Sequence, residues 1–208
     1  MLAAASGSGK SYWVKRLLEN VDSMINPPPK SILWCYSHYQ PIYDELKKNV
    51  GNIHFVKGLP EDVNDRFDAS QNTLVILDDL MTEAGNDVRV LDLFTRGSHH
   101  LNLSVIFISQ NLFHQGKQIR TMSLNCHYFV LFKNARDKSQ IHHLSRQMFP
   151  GNPRYLQESF NDATKEAYSY LLIDLKPETD EDFRLRSNIF PGETTFVYIP
   201  KNTRYKKL

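Results

Sequence analysis

The stretch Ser6-Gly7-Ser8-Gly9-Lys10-Ser11, close to the start of this 208-residue chain, has the composition and order of a phosphate-binding loop. In the pattern G-x-x-x-x-G-K-[ST], backbone N–H groups surround a triphosphate, the lysine reaches its outer phosphates and the hydroxyl ligates Mg²⁺. Gly9, Lys10 and Ser11 match this pattern, whereas Ala4 occupies the position of its first glycine. The six residues are therefore predicted to bind the phosphates of a nucleoside triphosphate, with Ser11 as a ligand of Mg²⁺.

The segment that leads into this loop is short. Met1 to Ala5 provides only the end of the strand from which such a loop normally starts. Alanine is compatible with the first position of the loop if its φ angle is negative, because only a positive φ requires glycine. The sequence thus predicts a truncated first strand, and we expect the natural reading frame to begin upstream of Met1.

The composition is that of an ordinary globular chain, with 41% apolar and 23% charged residues. The net charge of +2 is too small to indicate nucleic-acid binding by itself. No apolar run has the length of a membrane span, and the start of the chain lacks the basic and apolar regions of a signal peptide. We therefore expect an intracellular protein without a membrane partner.

Short apolar runs alternate with amphipathic stretches along the chain, which is typical of βαβ units. The predicted class is α/β, with a mostly parallel central sheet flanked by helices. Strands are predicted at residues 31–36, 53–56, 73–77, 103–108, 126–132, 168–173 and 196–199. Helices are predicted at residues 12–20, 43–50, 88–98, 138–148 and 155–164, with a short helix or turn at 118–123.

An apolar strand at residues 74–77 runs directly into two carboxylates, Asp78 and Asp79. Buried strands rarely end in adjacent acids unless the end of the strand faces a cation or a proton-transfer site. Asp78 is predicted to hold Mg²⁺ beside Ser11, directly or through water. Asp79 is predicted to orient or deprotonate the attacking water. The alternative is a polar transition from strand to turn, since aspartate is common in turns.

The strand at residues 105–108 ends in Ser109-Gln110-Asn111. Serine and asparagine are common in turns, but glutamine is not a strong turn former. Gln110 is therefore predicted to contact the γ-phosphate and the attacking water. The three motifs all follow predicted strands, and ligands of open α/β sheets bind at the carboxyl ends of the strands. Together they predict a site for a nucleoside triphosphate.

The segments SGSGKS, LVILDD and VIFISQN, followed by an apolar strand and LFKNARDKSQI, resemble the FtsK–HerA superfamily of P-loop ATPases. They are most similar to the genome-packaging ATPases of DNA viruses, virophages and Maverick/Polinton-type elements. The segments 92–113 and 123–137 carry the most specific likeness, which extends from Ala5 to about Asp174. We accordingly assign residues 1–175 to a P-loop ATPase domain and residues 176–208 to a C-terminal extension that packs on or beside it.

The resemblance implies a RecA-like sheet and ATP hydrolysis coupled to the translocation of double-stranded DNA. It also implies a homo-oligomeric ring that fills capsids, with a capsid component as a further partner, in the host cytoplasm, nucleus or viral factory. Lys10 and Ser11 then correspond to the phosphate and Mg²⁺ contacts, Asp78 to the metal-side acid and Gln110 to the sensor. Asp79 corresponds to the catalytic carboxylate, although many relatives have the longer glutamate there.

Ring ATPases of this kind complete their site with an arginine from a neighbouring subunit, which neutralises charge on the transferring phosphoryl group. Arg96 and Arg136 are the candidates in this chain, and a solvated surface arginine is the alternative for each.

Two other functions remain open on the sequence. A small-molecule kinase would need an acceptor site and a lid carrying arginines, whereas the glutamine after the strand fits water activation better. A degenerate nucleotide-binding scaffold is favoured by Ala4 and by the short first strand, but intact Lys10, Ser11, Asp78 and Gln110 argue against it. A GTPase is disfavoured because no N-K-x-D motif follows the sensor strand.

Overall fold

The fold was taken from a computed structural model, which describes residues 1–60, 67–68, 70–80, 87–94, 102–113 and 117–200. The chain forms two compact units, Met1–Cys126 and His127–Leu208. The phosphate-binding loop and both later strand-end motifs belong to the first unit.

Parallel strands form the sheet of the first unit. In the described residues they are β1 (Leu2–Ala3), β2 (Ser31–Tyr36), β3 (Ile53–Lys57), β4 (Thr73–Asp78) and β5 (Leu103–Ser109). They lie side by side in the order β3-β2-β4-β5-β1, and each neighbouring pair is parallel. Because parallel strands end at the same edge of a sheet, the residues that follow β1, β4 and β5 meet at one edge.

The centre of this sheet is apolar, as expected for strands that are covered on both faces. All six residues of β4 are buried, and Trp34 in β2 is fully buried. The helices described in this unit are α1 (Lys10–Glu19), α2 (Val21–Met24), α3 (Ile42–Asn49), α4 (Val88–Asp92) and α5 (Lys117–Leu124).

Helix α1 buries one face, formed by Trp13, Val14, Leu17 and Leu18, whose spacing follows the helical period. Helix α3 buries Tyr43 and Leu46 in the same way, and an ion pair between Lys15 and Glu45 joins the two helices at their surface. None of the helices in the described ranges combines the length and the apolar character that crossing a membrane requires.

The second unit is built on antiparallel strands. Its described elements are β6 (Tyr128–Phe132), α6 (Ser139–Met148), α7 (Pro153–Ala163), β7 (Tyr170–Asp174), β8 (Leu185–Ser187) and β9 (Phe196–Tyr198). Each strand pairs with the next in the chain. The predicted boundary at residue 175 falls between β7 and β8, inside this unit, and the division into a domain and an extension stays a prediction.

The α/β class, the parallel sheet and most of the predicted elements are confirmed. Among the described residues, three short elements were not predicted: α2, a 3-10 helix at Glu181–Phe183 and β8. With four, three and three residues, they are too short to show a period. The predicted strand at 126–132 begins later, at Tyr128, because the N–H groups of Asn125 and Cys126 still donate to carbonyl oxygens of α5. The predicted helix at 88–98 is described only as far as residue 94.

Candidate active site

The phosphate-binding loop connects β1 to α1 and depends on two glycines. Gly7 has a φ of 75° and Gly9, which caps α1, has a φ of 97°. A Cβ at Gly7 would meet no atom within 4 Å, so the left-handed backbone, and not lack of space, is what favours glycine there. The Gly9 carbonyl accepts the first hydrogen bond of α1, from the Trp13 N–H at 2.8 Å.

Ala4 adopts a backbone conformation that alanine tolerates. The non-glycine residues with positive φ in the described part of the chain are Asn52, Asp79, Asn102, Tyr168 and Asn188. Ala4 is therefore not strained by its Cβ, and its N–H donates to the Ser109 carbonyl at 3.2 Å, which ties the start of the loop to the end of β5. The condition under which alanine can replace the first glycine is met.

The Lys10 amine is buried inside the loop. It donates to the carbonyl oxygens of Ala4 and Ala5, at 2.6 and 2.9 Å, and to the Ser8 hydroxyl at 3.4 Å. Burial lowers the pKa of Lys10 below its usual value, and the negative charges of Asp78 and Asp79 oppose this shift. The amine is thus held in the loop, close enough to the two carboxylates at the end of β4 to interact with them.

Asp78 is the last residue of β4 and is 3% exposed. Its Oδ2 accepts a hydrogen bond from the Tyr43 hydroxyl at 2.9 Å and one from the Gln40 amide at 3.5 Å. Burial raises the pKa of the Asp78 carboxyl, the hydrogen bond from Tyr43 opposes this rise, and the Asp79 charge adds to it. A buried carboxylate with this raised pKa is well suited to a cation, whose charge would stabilise its ionised form.

Asp79 follows the strand in a left-handed conformation, with a φ of 55°. Aspartate is one of the few residues that adopt this region without large strain. Its N–H donates to the Ile108 carbonyl at 3.3 Å, and its exposed side chain accepts a hydrogen bond from the Gln110 amide, Nε2 to Oδ1, at 2.9 Å. The two predicted catalytic side chains from neighbouring strands are therefore in direct contact.

The first unit thus brings together Lys10, Asp78, Asp79 and Gln110, as the sequence predicted. Arg136 is an exposed residue of the second unit, beyond β6, and Arg96 lies outside the described residues, so their role as a trans arginine stays a prediction. Sequence reasoning missed Tyr43 and Gln40. Nothing in the local sequence marks them, because they approach Asp78 from the segment after β2.

The residues present fit ATP and Mg²⁺. The loop 6–11 has the two left-handed glycines that such a cradle needs, and a buried lysine amine points into it. Ser11 in α1 and Asp78 in β4 would hold Mg²⁺. The described residues contain no group of three or more His, Cys, Asp or Glu that could bind a metal by themselves.

The parallel sheet and the loop between β1 and α1 together define a P-loop NTPase fold. No protein-family model matches the chain, and no curated protein matches it in sequence. Solved structures do match, among them the genome-packaging NTPase B204 from Sulfolobus turreted icosahedral virus 2 in complex with ATP-gammaS. That pair shares 13% identity with a TM-score of 0.57, over 97% of this chain and 96% of the viral one.

A second match is the structure of B204, the DNA-packaging ATPase from Sulfolobus turreted icosahedral virus, at 12% identity and a TM-score of 0.57 over 97% of this chain and 96% of that one. The cytoplasmic domain of the Thermomonospora curvata type VII secretion ATPase EccC matches at 14% identity and a TM-score of 0.52, over 95% of this chain and 25% of that one. At these identities the likeness shows the fold, and the resemblance to the packaging ATPases is confirmed at that level.

We expect Asp78→Asn to stabilise the protein in the absence of nucleotide and metal. Folding raises the pKa of this carboxyl. At a pH above its pKa in the folded state, the charged carboxylate therefore lowers the stability of the protein. At a pH below its pKa in the unfolded state, the group is neutral in both states and does not affect stability. The melting temperature of the variant should therefore exceed that of the wild type at pH 7, and each kcal/mol corresponds to about 2–4 °C. The difference should vanish as the pH falls below about 4, and a constant difference across pH would contradict the assignment.

Proposed function

We propose that this chain is an ATP-hydrolysing motor that translocates double-stranded DNA, of the kind that packages viral or mobile-element genomes. The observation that carries the proposal is the meeting of Lys10, Asp78 and the Asp79–Gln110 pair at one edge of a parallel sheet. Two findings support the coupling to DNA. The sequence resembles the genome-packaging ATPases, and the fold is shared with the DNA-packaging ATPase B204.

Each side chain has a distinct task in this proposal. The loop N–H groups and the Lys10 amine bind the phosphates, and Ser11 and Asp78 hold the cation. Mg²⁺, when bound, neutralises charge on the phosphate oxygens. Asp79 accepts a proton from the attacking water or orients it, and the Gln110 amide, which already contacts Asp79, positions the same water beside the γ-phosphate.

The Asp79–Gln110 contact favours hydrolysis over transfer to a small acceptor. A carboxylate and an amide at hydrogen-bond distance from each other can share one water between them.

We further propose a homo-oligomeric ring, in which Arg96 or Arg136 of a neighbouring copy reaches the phosphates. We also propose an intracellular location and docking on a capsid component. The support for these steps is the sequence resemblance.

The direct test is steady-state ATP hydrolysis with and without double-stranded DNA. We expect DNA to stimulate turnover severalfold, because a motor hydrolyses ATP productively when its track is bound. The stimulation should weaken as the salt concentration rises from about 50 to 200 mM, because contacts to the phosphate backbone release counterions. A protein with 6–10 such contacts generally loses about 10³–10⁵-fold in DNA affinity over this range. Lys10→Ala is the control that shows the turnover belongs to this site.

Two outcomes would replace the proposal. Turnover that requires a small phosphoryl acceptor would indicate a kinase, and the absence of both nucleotide binding and turnover would indicate a degenerate scaffold. Turnover that is unaffected by DNA at low salt would leave an ATPase and remove the motor.

A further inference from the structure

The segment after β2 and the first turn of α3 reach the carboxylate at the end of β4. The Tyr43 hydroxyl donates to Asp78 Oδ2 at 2.9 Å, and the Gln40 amide approaches the same oxygen at 3.5 Å. The Ser37 N–H donates to the Asp78 carbonyl at 3.3 Å, so the backbone of this segment is tied to the strand end as well. The hydrogen bonds from Tyr43 and Gln40 both fall on Oδ2. The Trp34 side chain also interacts favourably with this carboxylate.

The Tyr43 ring is fixed by its neighbours. It stacks on Phe55 at a centroid distance of 4.9 Å and contacts Tyr36, Trp34 and Tyr39 at 5.2, 5.3 and 5.4 Å. The side chain is fully buried. Aromatic rings packed in this way have little freedom to rotate away, so the position of the hydroxyl is set by the core of the first unit.

A tyrosine hydroxyl at neutral pH is protonated and can donate one hydrogen bond. Its donation to Oδ2 therefore helps to orient the Asp78 carboxylate and does not occupy Oδ1. Groups that hydrogen-bond to the ligands of a metal fix the orientation of those ligands and tune the affinity of the metal. Tyr43 has the geometry of such a group.

We propose that Tyr43 is a positioning residue that holds Asp78 by Oδ2 and so presents Oδ1 to the Mg²⁺ of the bound nucleotide. This proposal rests on the function proposed above, because that function makes Asp78 the metal-side acid. The aromatic cluster of Trp34, Tyr36, Tyr39, Tyr43 and Phe55 then has a second task beyond forming the core: it sets the angle of the metal-side carboxylate.

A purely structural role is the competing explanation. A buried hydroxyl needs a hydrogen-bond acceptor, and Asp78 could serve only that need. The two explanations differ in what the loss of the hydroxyl changes. A structural role alters the stability of the protein and leaves its affinity for the cation unchanged, whereas a positioning role weakens that affinity.

The test uses the full chain with Tyr43→Phe, which keeps the ring and its packing and removes the hydroxyl. Mn²⁺ serves as the probe, and its binding in the presence of ADP is measured by electron paramagnetic resonance. We expect the variant to bind Mn²⁺ about 10-fold more weakly or worse, in the range found for groups that orient metal ligands. The Mg²⁺ concentration for half-maximal ATP hydrolysis should rise by a similar factor.

Tyr36→Phe is the matched control, because its ring belongs to the same cluster and its hydroxyl is not bonded to Asp78. The proposal is overturned if Tyr43→Phe binds Mn²⁺ as the wild type does, or if Tyr36→Phe weakens binding equally. If the wild type itself binds no Mn²⁺ with ADP, the proposed function fails, and this inference fails with it. Binding by the wild type with an unchanged Tyr43→Phe variant removes only the inference.

Discussion

Asp79→Asn should lower the rate of ATP hydrolysis by about 10²–10⁴-fold, the range typical of removing a general base. The amide cannot accept a proton from water, although it has nearly the same shape. Asparagine also tolerates the left-handed conformation that Asp79 adopts, with its φ of 55°, so the backbone at this position should be unchanged. The loss should therefore be confined to chemistry, and ATP binding should be retained.

The measurement combines single-turnover hydrolysis with equilibrium binding of a fluorescent ATP analogue. Asp22→Asn removes the same charge from an exposed position on α2 and serves as the control, with no expected change in either assay. Asp79→Glu is a useful companion, since it keeps a carboxylate on a side chain that is one methylene longer. If Asp79→Asn kept most of its hydrolysis rate, the proton would have to go elsewhere, and Asp79 would lose its catalytic role.

Lys10→Met should reduce ATP hydrolysis by about 10²–10³-fold, the cost of removing one charge-stabilising donor from a transition state. Methionine preserves most of the buried stem and removes the amine that donates to Ala4, Ala5 and Ser8. In contrast to Asp79→Asn, this variant should also lose nucleotide affinity, because in the proposed function the amine contacts the phosphates in the ground state as well.

Thermal denaturation with and without ADP and Mg²⁺ separates these effects. At a ligand concentration 100 times its dissociation constant, the wild type should gain about 2.7 kcal/mol of stability, and Lys10→Met should gain much less. Lys15→Met is the matched control on the same helix, since the Lys15 amine forms ion pairs with Glu45 and Glu19. Equal stabilisation of both variants by the nucleotide would place the phosphates somewhere other than this loop.

Much of this site could be predicted because its residues follow strands with an unambiguous pattern. Residues 73–77 are all buried in β4, and three of them are β-branched, a pattern that predicts a strand. Two adjacent acids directly after such a strand indicate a cation or proton-transfer site. Gln110 was predicted for the same reason, from its place after β5. The parallel arrangement then placed both at one edge with the loop after β1.

The antiparallel pairing of β6 to β9 could not be predicted in the same way. Pairing partners and strand direction are chosen by contacts between segments that are distant in the chain, and a short strand such as β8 shows no period of its own. The same holds for Tyr43, which lies 35 residues from Asp78 in the chain and meets it only after β2 and β4 have paired.

The amino-acid sequence by itself determined the phosphate-binding loop, the acidic and amide residues after two strands, and the α/β class. It could do so because each of these rests on local chemistry, that is, on residue types at fixed spacing. The tertiary structure alone decided that Ala4 is unstrained, that Gln110 bonds to Asp79 and that Tyr43 holds Asp78. These features depend on backbone angles and on distances between strands, which are set only when the core packs.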